Sequence, residues 1–196
     1  TPTKPHPSLL PREQMGEIIV EAPAQLKRRC GDCQLCCKLL PLKSIRKPHN
    51  TRCDHQRFGK GCNIYPGRPI ECRVWNCGWL TNPDGVFDKL PRPDRVHYVV
   101  DTTPEVLQGI DALGRTVKFL AVTVWCDPKY PNSHRDPELR KALRPAGYML
   151  VRYGPRDCLL LVYTEGRWVE TPTEPSEVSS AQALAEFVAE QGGKRP

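Results

Sequence analysis

Cysteine is the residue type in this sequence whose number and spacing point to chemistry. Eight of the ten cysteines lie within 48 residues. The first four form a C-x2-C-x2-C-C run, and two residues between thiolates let a tight turn direct both sulfurs at one centre, a spacing that recurs at zinc and iron-sulfur sites. We therefore predict metal ligation by the clustered cysteines, which are Cys30, Cys33, Cys36, Cys37, Cys53, Cys62, Cys72 and Cys77.

The number of sites is left open by the sequence. Eight thiols divide into two four-ligand sites, or into one cubane cluster and one tetrahedral zinc. Adjacent side chains point in different directions, so Cys36 and Cys37 are expected to serve different sites or partners. The repeated x2 spacing favours an iron-sulfur cluster, whereas the irregular downstream spacing suits structural zinc, and the cofactor is predicted as zinc or an iron-sulfur cluster, with up to two sites.

Two other interpretations of the clustered cysteines exist, four disulfides or catalytic redox thiols. Vicinal cysteines do not readily bridge each other, no export signal is visible, and C-x2-C repeats suit metals better. Metal binding is therefore the favoured interpretation.

Further candidate ligands lie near and beyond the cluster. His49 and His55 flank Cys53 and could replace a thiolate, although loop histidines are more often solvated or hydrogen-bonded. Cys126 could add a ligand, but the commoner outcome for such a cysteine is a buried, inert thiol. Cys158 opens an apolar run and is predicted to be a core residue.

The cysteine run and the residues after it resemble a known family. The run from Cys30 to Cys37, the later Cys53, and Cys62-Asn-Ile-Tyr65 with Arg68-Pro69 before Cys72 are similar to the YkgJ-type CxxCxxCC family, described as a zinc- or iron-chelating domain. The resemblance covers about residues 28 to 80. It implies cytoplasmic, bacterial-type metal or cluster binding and brings no settled reaction. A related motif occurs in flagellin lysine N-methylases, so an iron-sulfur enzyme is an alternative.

Charge is concentrated in the same part of the chain. Between Lys27 and Arg73 there are twelve Lys and Arg residues against three acids, and the rest of the chain is slightly acidic, so this segment accounts for the whole net charge of +7. Thiolates on a metal would cancel much of that excess. The alternative use of a basic face is nucleic-acid binding.

The cysteines must be positioned by a segment with few apolar residues. Residues 1–25 form a Pro-rich lead with one weak strand candidate, Ile18 to Val20. Residues 26–80 form the CxxCxxCC metal-binding region, which is too polar to order itself around a conventional core and needs cross-links. Residues 81–95 are dense in turn signals and form a connector.

The remaining residues, 96–196, have the pattern of a small α+β region that ends in a helix. Four apolar runs of strand length are followed by a hairpin whose last strand is Trp168 to Glu170. The four runs are Val96 to Asp101, Val117 to Trp125, Gly147 to Arg152 and Cys158 to Tyr163. Helix-start signals predict helices over Pro104 to Ala112, over Pro137 to Leu143 with Asp136 as N-cap, and from Ser179 or Ser180 through Gln191.

The predicted fold class is α+β, with an irregular metal-stabilised cysteine-rich N-terminal region packed on a small mixed sheet with two or three helices. The predicted function is metal binding, with metal ions as partners. A protein partner is left open, nucleic acid is a less favoured partner, and no membrane is expected because no apolar stretch is long enough to span one. No catalytic residue and no reaction are assigned.

Overall fold

The computed structural model describes residues 28–110, 115–171 and 176–177. The fold is α+β, with one mixed sheet, one two-stranded antiparallel sheet and short helices. The helices of the described residues are α1 (Leu35–Leu39), α2 (Ile70–Val74), α3 (Gly78–Thr81), α4 (Pro93–Val96) and α5 (Pro137–Ala142). The strands are β1 (Gln56–Arg57), β2 (Gly61–Cys62), β3 (Tyr98–Val100), β4 (Glu105–Ile110), β5 (Thr116–Cys126), β6 (Tyr148–Arg152), β7 (Cys158–Thr164), β8 (Arg167–Thr171) and β9 (Ser176–Glu177). Short 3₁₀ turns cover Lys43–Ile45, Tyr65–Gly67, Pro83–Gly85, Ser133–Arg135 and Arg144–Ala146.

The mixed sheet has the strand order β8-β7-β6-β5-β4-β9. Strand β5, eleven residues long, is its centre: the first half pairs with β4 on one edge, and the last three residues pair with β3 on that same edge. Its opposite edge pairs in parallel with β6, through a crossover that contains α5, and all other pairs are antiparallel. β3 and β4 share one edge of β5, and β3 packs against the cysteine-rich segment.

The apolar core lies on the sheet. Strand β6 is almost completely buried, as expected for a strand with neighbours on both edges. One cluster joins β3, β5, β6 and β7 to Leu139 of α5, and a second surrounds Leu107 of β4. A third, smaller cluster packs Leu35 and Leu39 of α1 against Val99 of β3, which attaches the cysteine-rich segment to the sheet.

Most of the predicted strands are confirmed. β5, β6, β7 and β8 lie within one or two residues of the predicted runs. The run Val96 to Asp101 is a strand only over Tyr98–Val100, because Val96 ends α4 and His97 takes a left-handed conformation with φ of 63°. The predicted helix at Pro137 is also confirmed, and the Asp136 carboxylate accepts hydrogen bonds from the amides of Glu138 and Leu139.

The predicted helix over Pro104 to Ala112 is wrong, because residues 105–110 form β4. Six residues of β4 pair with β5, and this pairing buries Val106 and Leu107 completely. The helix-start signal of Pro104 is therefore overridden by sheet pairing and by the β-branched residues of the segment. The strand candidate at Ile18 to Val20 and the terminal helix from Ser179 or Ser180 lie outside the described residues. Within the described ranges, no helix has the length and apolar character needed to cross a membrane.

Candidate metal centre

All eight predicted cysteine ligands line one cavity of about 300 Å³. They arrive from separate pieces of chain: the loop before α1, α1 itself, the loop before β1, β2, α2 and the residue before α3. His55 lines the same cavity, together with the apolar side chains of Leu42, Ile64 and Trp75. The structure thus brings the sequence-predicted ligands together in space, although 47 positions separate the first from the last.

The first cysteines are positioned by a turn and a short helix. The Cys33 amide donates to the Cys30 carbonyl at 3.0 Å, and Gly31 within this turn has a left-handed φ of 56°, which glycine adopts without strain. Helix α1 follows at once and places Cys36 and Cys37 in its first turn. Its buried side chains pack against β3, so the sheet sets the orientation of these two thiols.

The later cysteines are fixed by backbone hydrogen bonds. The Cys53 carbonyl accepts from the Gln56 amide at 2.9 Å, which closes a turn into β1, and the Cys72 amide donates to the Pro69 carbonyl at 3.0 Å. Cys77 precedes α3, and its backbone forms an antiparallel bridge with Asp101, beyond the end of β3. The last ligand is therefore tied to the mixed sheet.

Their interactions divide the eight thiols into two neighbouring groups of four, which are joined by the hydrogen bond between Cys36 and Cys37. Cys77 interacts electrostatically with Cys33 and Cys30, and a narrow cleft brings Cys36 into the same group. Cys72 interacts with three different thiols, those of Cys37, Cys53 and Cys62. We call the groups the inner set (Cys30, Cys33, Cys36, Cys77) and the outer set (Cys37, Cys53, Cys62, Cys72). The vicinal pair is divided between them.

Hydrogen bonding and burial set the acidity of these thiols. The Cys36 thiol hydrogen-bonds to both Cys30 and Cys37, which lowers the pKa of Cys30 to about 7, lowers the pKa of Cys37 and raises that of Cys36. Burial raises the pKa of Cys33 to about 11 and that of Cys77 to about 12. A metal cation in the cavity would displace the protons of such thiols, because a coordinating thiol is deprotonated outright.

Two basic residues face the thiols. Lys47 is buried, with 7% of its surface exposed, and its ammonium group donates to the carbonyls of Lys38, Leu40 and Pro48. The charges that act on it come from cysteines of both sets and, within the described residues, no carboxylate pairs with it. Burial lowers the pKa of Lys47, and any thiolate formed in the cavity would supply a counter-charge that offsets this burial.

Arg68 is the second of these basic residues. It lines the cavity, with its guanidinium carbon 4.0 Å from the centre of the Tyr65 ring. Its charge favours the thiolate forms of Cys30 and Cys37, whose pKa values are lowered, and it opposes the burial that raises the pKa of Cys72 to about 11. Its Nε is buried and has no protein partner among the described residues, so this donor is available to an acceptor such as a sulfur.

The donor set fits zinc or iron, since soft thiolates are the preferred ligands of zinc and of iron-sulfur clusters. Among residues 28–110, 115–171 and 176–177, no three His, Cys, Asp or Glu side chains converge closely enough to hold a metal ion as they stand. The thiols surround the cavity instead of meeting at a point. Ligation thus requires the thiols to move inward, to about 2.3 Å from a zinc ion.

The four additional candidate ligands differ in whether they line the cavity. His55 lines the cavity, whereas the His49 ring stacks on Trp125 of β5 at a centroid distance of 5.4 Å. Cys126 is buried in the sheet core, where burial raises its pKa to about 11, and Cys158 lies on β7 against the second core cluster. Only His55 of these four residues lines the cavity.

Sequence reasoning missed two residues of the site, Lys47 and Asp101. Lys47 is one of twelve cations in its segment, and nothing in its neighbours marks it for burial. Asp101 follows β3 and lines the cavity, where its carboxylate accepts hydrogen bonds from the indoles of Trp75 at 3.2 Å and Trp125 at 3.4 Å. Aspartate at the end of a strand is a common turn signal, so its site role has no sequence signature.

Comparison of this chain with protein-family models, curated proteins and solved structures gives no match. The resemblance to the CxxCxxCC family stays a prediction from the motif.

Proposed function

We propose that this chain is a metal-binding protein that holds zinc or an iron-sulfur cluster through its eight clustered cysteines. The observation that supports it most is the single cavity lined by all eight thiols, which come from separate segments of a region that has little apolar core of its own. Each segment contributes one or two sulfurs, so ligation would cross-link them all. The motif resemblance to the CxxCxxCC family points the same way.

The two sets of thiols support two coordination centres side by side. The inner set would hold one centre against β3, and the outer set would hold the other beneath the β1–β2 hairpin. Four thiolates are a complete ligand set for structural zinc and also for a [4Fe–4S] cluster. Adjacent ligands at Cys36 and Cys37 would couple the two centres mechanically, since both belong to the first turn of α1.

The size of the cavity favours a group larger than a single ion. A volume of about 300 Å³ corresponds to roughly ten water molecules. A polynuclear cluster uses such space, and the buried donors of Lys47 and Arg68 suit its negatively charged sulfurs. A bound cluster would supply electron-transfer chemistry, and zinc would supply a cross-link; the chain's own residues provide the thiolates, the counter-charges and the cover of Trp75.

Elemental analysis with a visible spectrum on protein purified without oxygen tests this proposal. We expect iron with acid-labile sulfide and a brown colour for a cluster, or two colourless zinc ions per chain for a structural centre. Protein that contains no metal, and that takes up neither zinc nor iron and sulfide on reconstitution, would contradict the proposal.

Serine variants test whether the cavity cysteines are the ligands. Cys53→Ser and Cys72→Ser each remove one outer-set thiol and should lower the metal content, while the inner set keeps its share. Cys158→Ser is the matched control, because this cysteine lies on β7 outside the cavity. Equal loss of metal in all three variants would contradict the assignment.

A further inference from the structure

A second cavity, of about 420 Å³, lies between the β1–β2 hairpin and the loops at one end of the mixed sheet. It shares no cysteine with the metal cavity. Its walls combine aromatic rings with charged side chains, which are Asp32, Lys38, Arg52, Phe58, Asp94, His97, Asp127, Lys129 and Tyr130.

Phe58 forms one wall, at the tip of the hairpin, with 85% of its surface exposed. A flexible hairpin tip could fold such a ring against the protein, but hydrogen bonds to the loop before α1 anchor this hairpin. The Gln34 side-chain amide donates to the backbone carbonyls of Arg57 and Gly61, and the Gln56 side-chain amide donates to the Gln34 backbone carbonyl at 2.7 Å. The exposed ring is therefore presented on an anchored support.

Gly61 brings the hairpin and the first cysteine turn into direct contact. Its φ is 83°, and a Cβ atom at this position would lie 2.7 Å from the Gly31 carbonyl oxygen. Only glycine allows this approach. The position of Phe58 thus depends on the same turn that positions Cys30 and Cys33.

A second aromatic surface lines the same cavity. The rings of Tyr130 and His97 stack in parallel, with centroids 3.6 Å apart and 4° between their planes. Tyr130 is 47% exposed and is held in a turn by its amide, which donates to the Asp127 carbonyl at 2.7 Å. The cavity therefore has two aromatic surfaces, Phe58 and the Tyr130–His97 pair.

The acids of this cavity are already paired. Arg92 binds the carboxylates of both Asp32 and Asp94, and the Lys38 ammonium binds Asp127. Arg52 and Lys129 have no carboxylate partner within the described ranges, and the Arg52 guanidinium carbon lies 5.6 Å from the centre of the Phe58 ring. The net charge available to a ligand is positive, and one of the cations lies beside an exposed ring.

We propose that this cavity binds single-stranded nucleic acid. One base would stack on Phe58 and a neighbouring base on the Tyr130–His97 pair, while Arg52 and Lys129 would contact the phosphates. Exposed aromatic rings that alternate with unpaired cations are how proteins bind single strands without reading sequence. Arg57 and Lys60, on the same hairpin, extend the cationic track. This inference stands on the second cavity and does not depend on which metal the cysteines hold.

Fluorescence anisotropy with the full-length, anaerobically purified chain tests the proposal. The probes are a labelled single strand of about 12 nucleotides, a length within the range that such sites cover, the matching duplex, and adenosine monophosphate as competitor. We expect single strands of RNA or DNA to bind more tightly than duplex and far more tightly than the mononucleotide. The affinity should fall steeply as salt rises from about 50 to about 200 mM.

Variants of the cavity separate stacking from general charge attraction. Phe58→Ala should weaken single-strand binding by roughly 5- to 150-fold, the loss expected for one stacked base. Phe58→Leu should weaken it almost as much, because leucine keeps the apolar surface but lacks the aromatic face. Arg52→Gln and Lys129→Gln should each reduce the salt slope by about 1. Val117→Ala, on an exposed position of β5, is the control and should leave binding unchanged.

Several results would overturn the proposal. No binding at low salt by the parent protein, with circular dichroism that shows the native fold, would do so. Equal affinity for duplex and single strand would indicate attraction to any polyanion. Full single-strand binding by Phe58→Leu together with loss of binding by Phe58→Ala would show that apolar surface at this position suffices and that no base stacks on the ring. Equal binding of the mononucleotide would assign the cavity to a free nucleotide.

Discussion

Residues 28–80 and the described part of residues 96–171 differ in how much regular structure and apolar core they contain. No helix of the first region is longer than five residues, its sheet has two strands of two residues each, and three of its leucines, Leu35, Leu39 and Leu80, are buried. The second region contains an eleven-residue strand at the centre of the mixed sheet and two apolar clusters. The comparison shows that the region with little buried apolar surface is also the one whose thiols surround one cavity. Under the proposed function, ligation of these thiols would replace the missing core.

Metal removal should give the largest difference between the two regions. Chelation should unfold residues 28–80 and leave the mixed sheet folded, since structural zinc contributes on the order of 10 kcal/mol to the folding of small metal-stabilised regions. Hydrogen exchange resolved by region measures this, with loss of protection in α1 and retention in β6. Unchanged protection in both regions, after metal has verifiably been removed, would show that ligation does not order the first region.

Removal of a buried charge in the sheet should give the next largest change, a loss of folding stability. The Arg152 side chain is 5% exposed and forms two hydrogen bonds, at 3.0 and 2.6 Å, with the Glu105 carboxylate, which also accepts from Thr123 at 2.6 Å. Glu105→Gln should lower the free energy of unfolding by about 3 to 5 kcal/mol, because it removes the charge that compensates a buried arginine.

The control for that variant is the exposed pair of Arg135 and Glu170, whose atoms lie 3.2 Å apart with about half of each side chain exposed. Arg135→Gln should cost at most about 1 kcal/mol. Urea denaturation of both variants measures the difference. Equal losses would mean that burial does not distinguish the two pairs.

A substitution at the contact between α3 and the mixed sheet should cause a smaller loss of stability. Gly78 begins α3, and a Cβ there would lie 2.8 Å from the Phe87 ring and 3.3 Å from Val100 Cβ. Gly78→Ala should overpack this contact at a cost of about 1 to 3 kcal/mol, partly offset by about 1 kcal/mol of helix propensity. We expect a net loss of about 1 kcal/mol in thermal or urea unfolding.

Gly67→Ala is its matched control, because nothing lies within 4 Å of a Cβ at that position. It should leave stability nearly unchanged. If Gly78→Ala were as stable as this control, α3 would not pack on the sheet as closely as described.

The smallest effect is a pH dependence of the sheet region. His134 is 2% exposed, its Nδ1 lies 2.9 Å from the Pro131 carbonyl, and burial lowers its pKa below the usual value. The unfolded chain therefore binds a proton that the folded chain resists. Stability is complete above the unfolded pKa of about 6.5 and falls as the pH drops through it.

Protection of β6 amides at pH above and below that value measures this dependence, with His134→Asn as the comparison. The variant should show a shallower slope, and the remainder should come from His49, whose pKa burial also lowers. A slope identical in both proteins would exclude His134 as the source.

The sequence predicted most strands of the mixed sheet and the helix at Pro137, but it assigned residues 105–110 wrongly. Runs such as 158–163 are apolar enough that strand formation follows from burial alone, and Asp136 before Pro137 is a complete helix-start signal. Residues 105–110 could not be assigned correctly, because the partner that makes them a strand is the extra length of β5. Residues 105–110 become a strand because they pair with the first half of β5, and neither segment shows this pairing by its own sequence.

The candidate ligands could be listed from the sequence, but their grouping could not. Spacing along the chain put Cys30, Cys33 and Cys36 together, yet the fourth member of the inner set, Cys77, is brought in by its backbone bridge to Asp101. The burial of Lys47 depends on three carbonyl groups of the loops around it. Such contacts exist only after the loops have closed, so no local pattern encodes them.

The carboxylate of Asp101 gives the molecule a built-in optical reporter. It joins the indole of Trp75, on the wall of the thiol cavity, to that of Trp125, within the mixed sheet. Any change in the cavity that displaces Trp75 also alters the hydrogen bonding of a tryptophan on the other side of the junction. We therefore expect a change in the thiol cavity to alter the emission of two of the four tryptophans, one in each region.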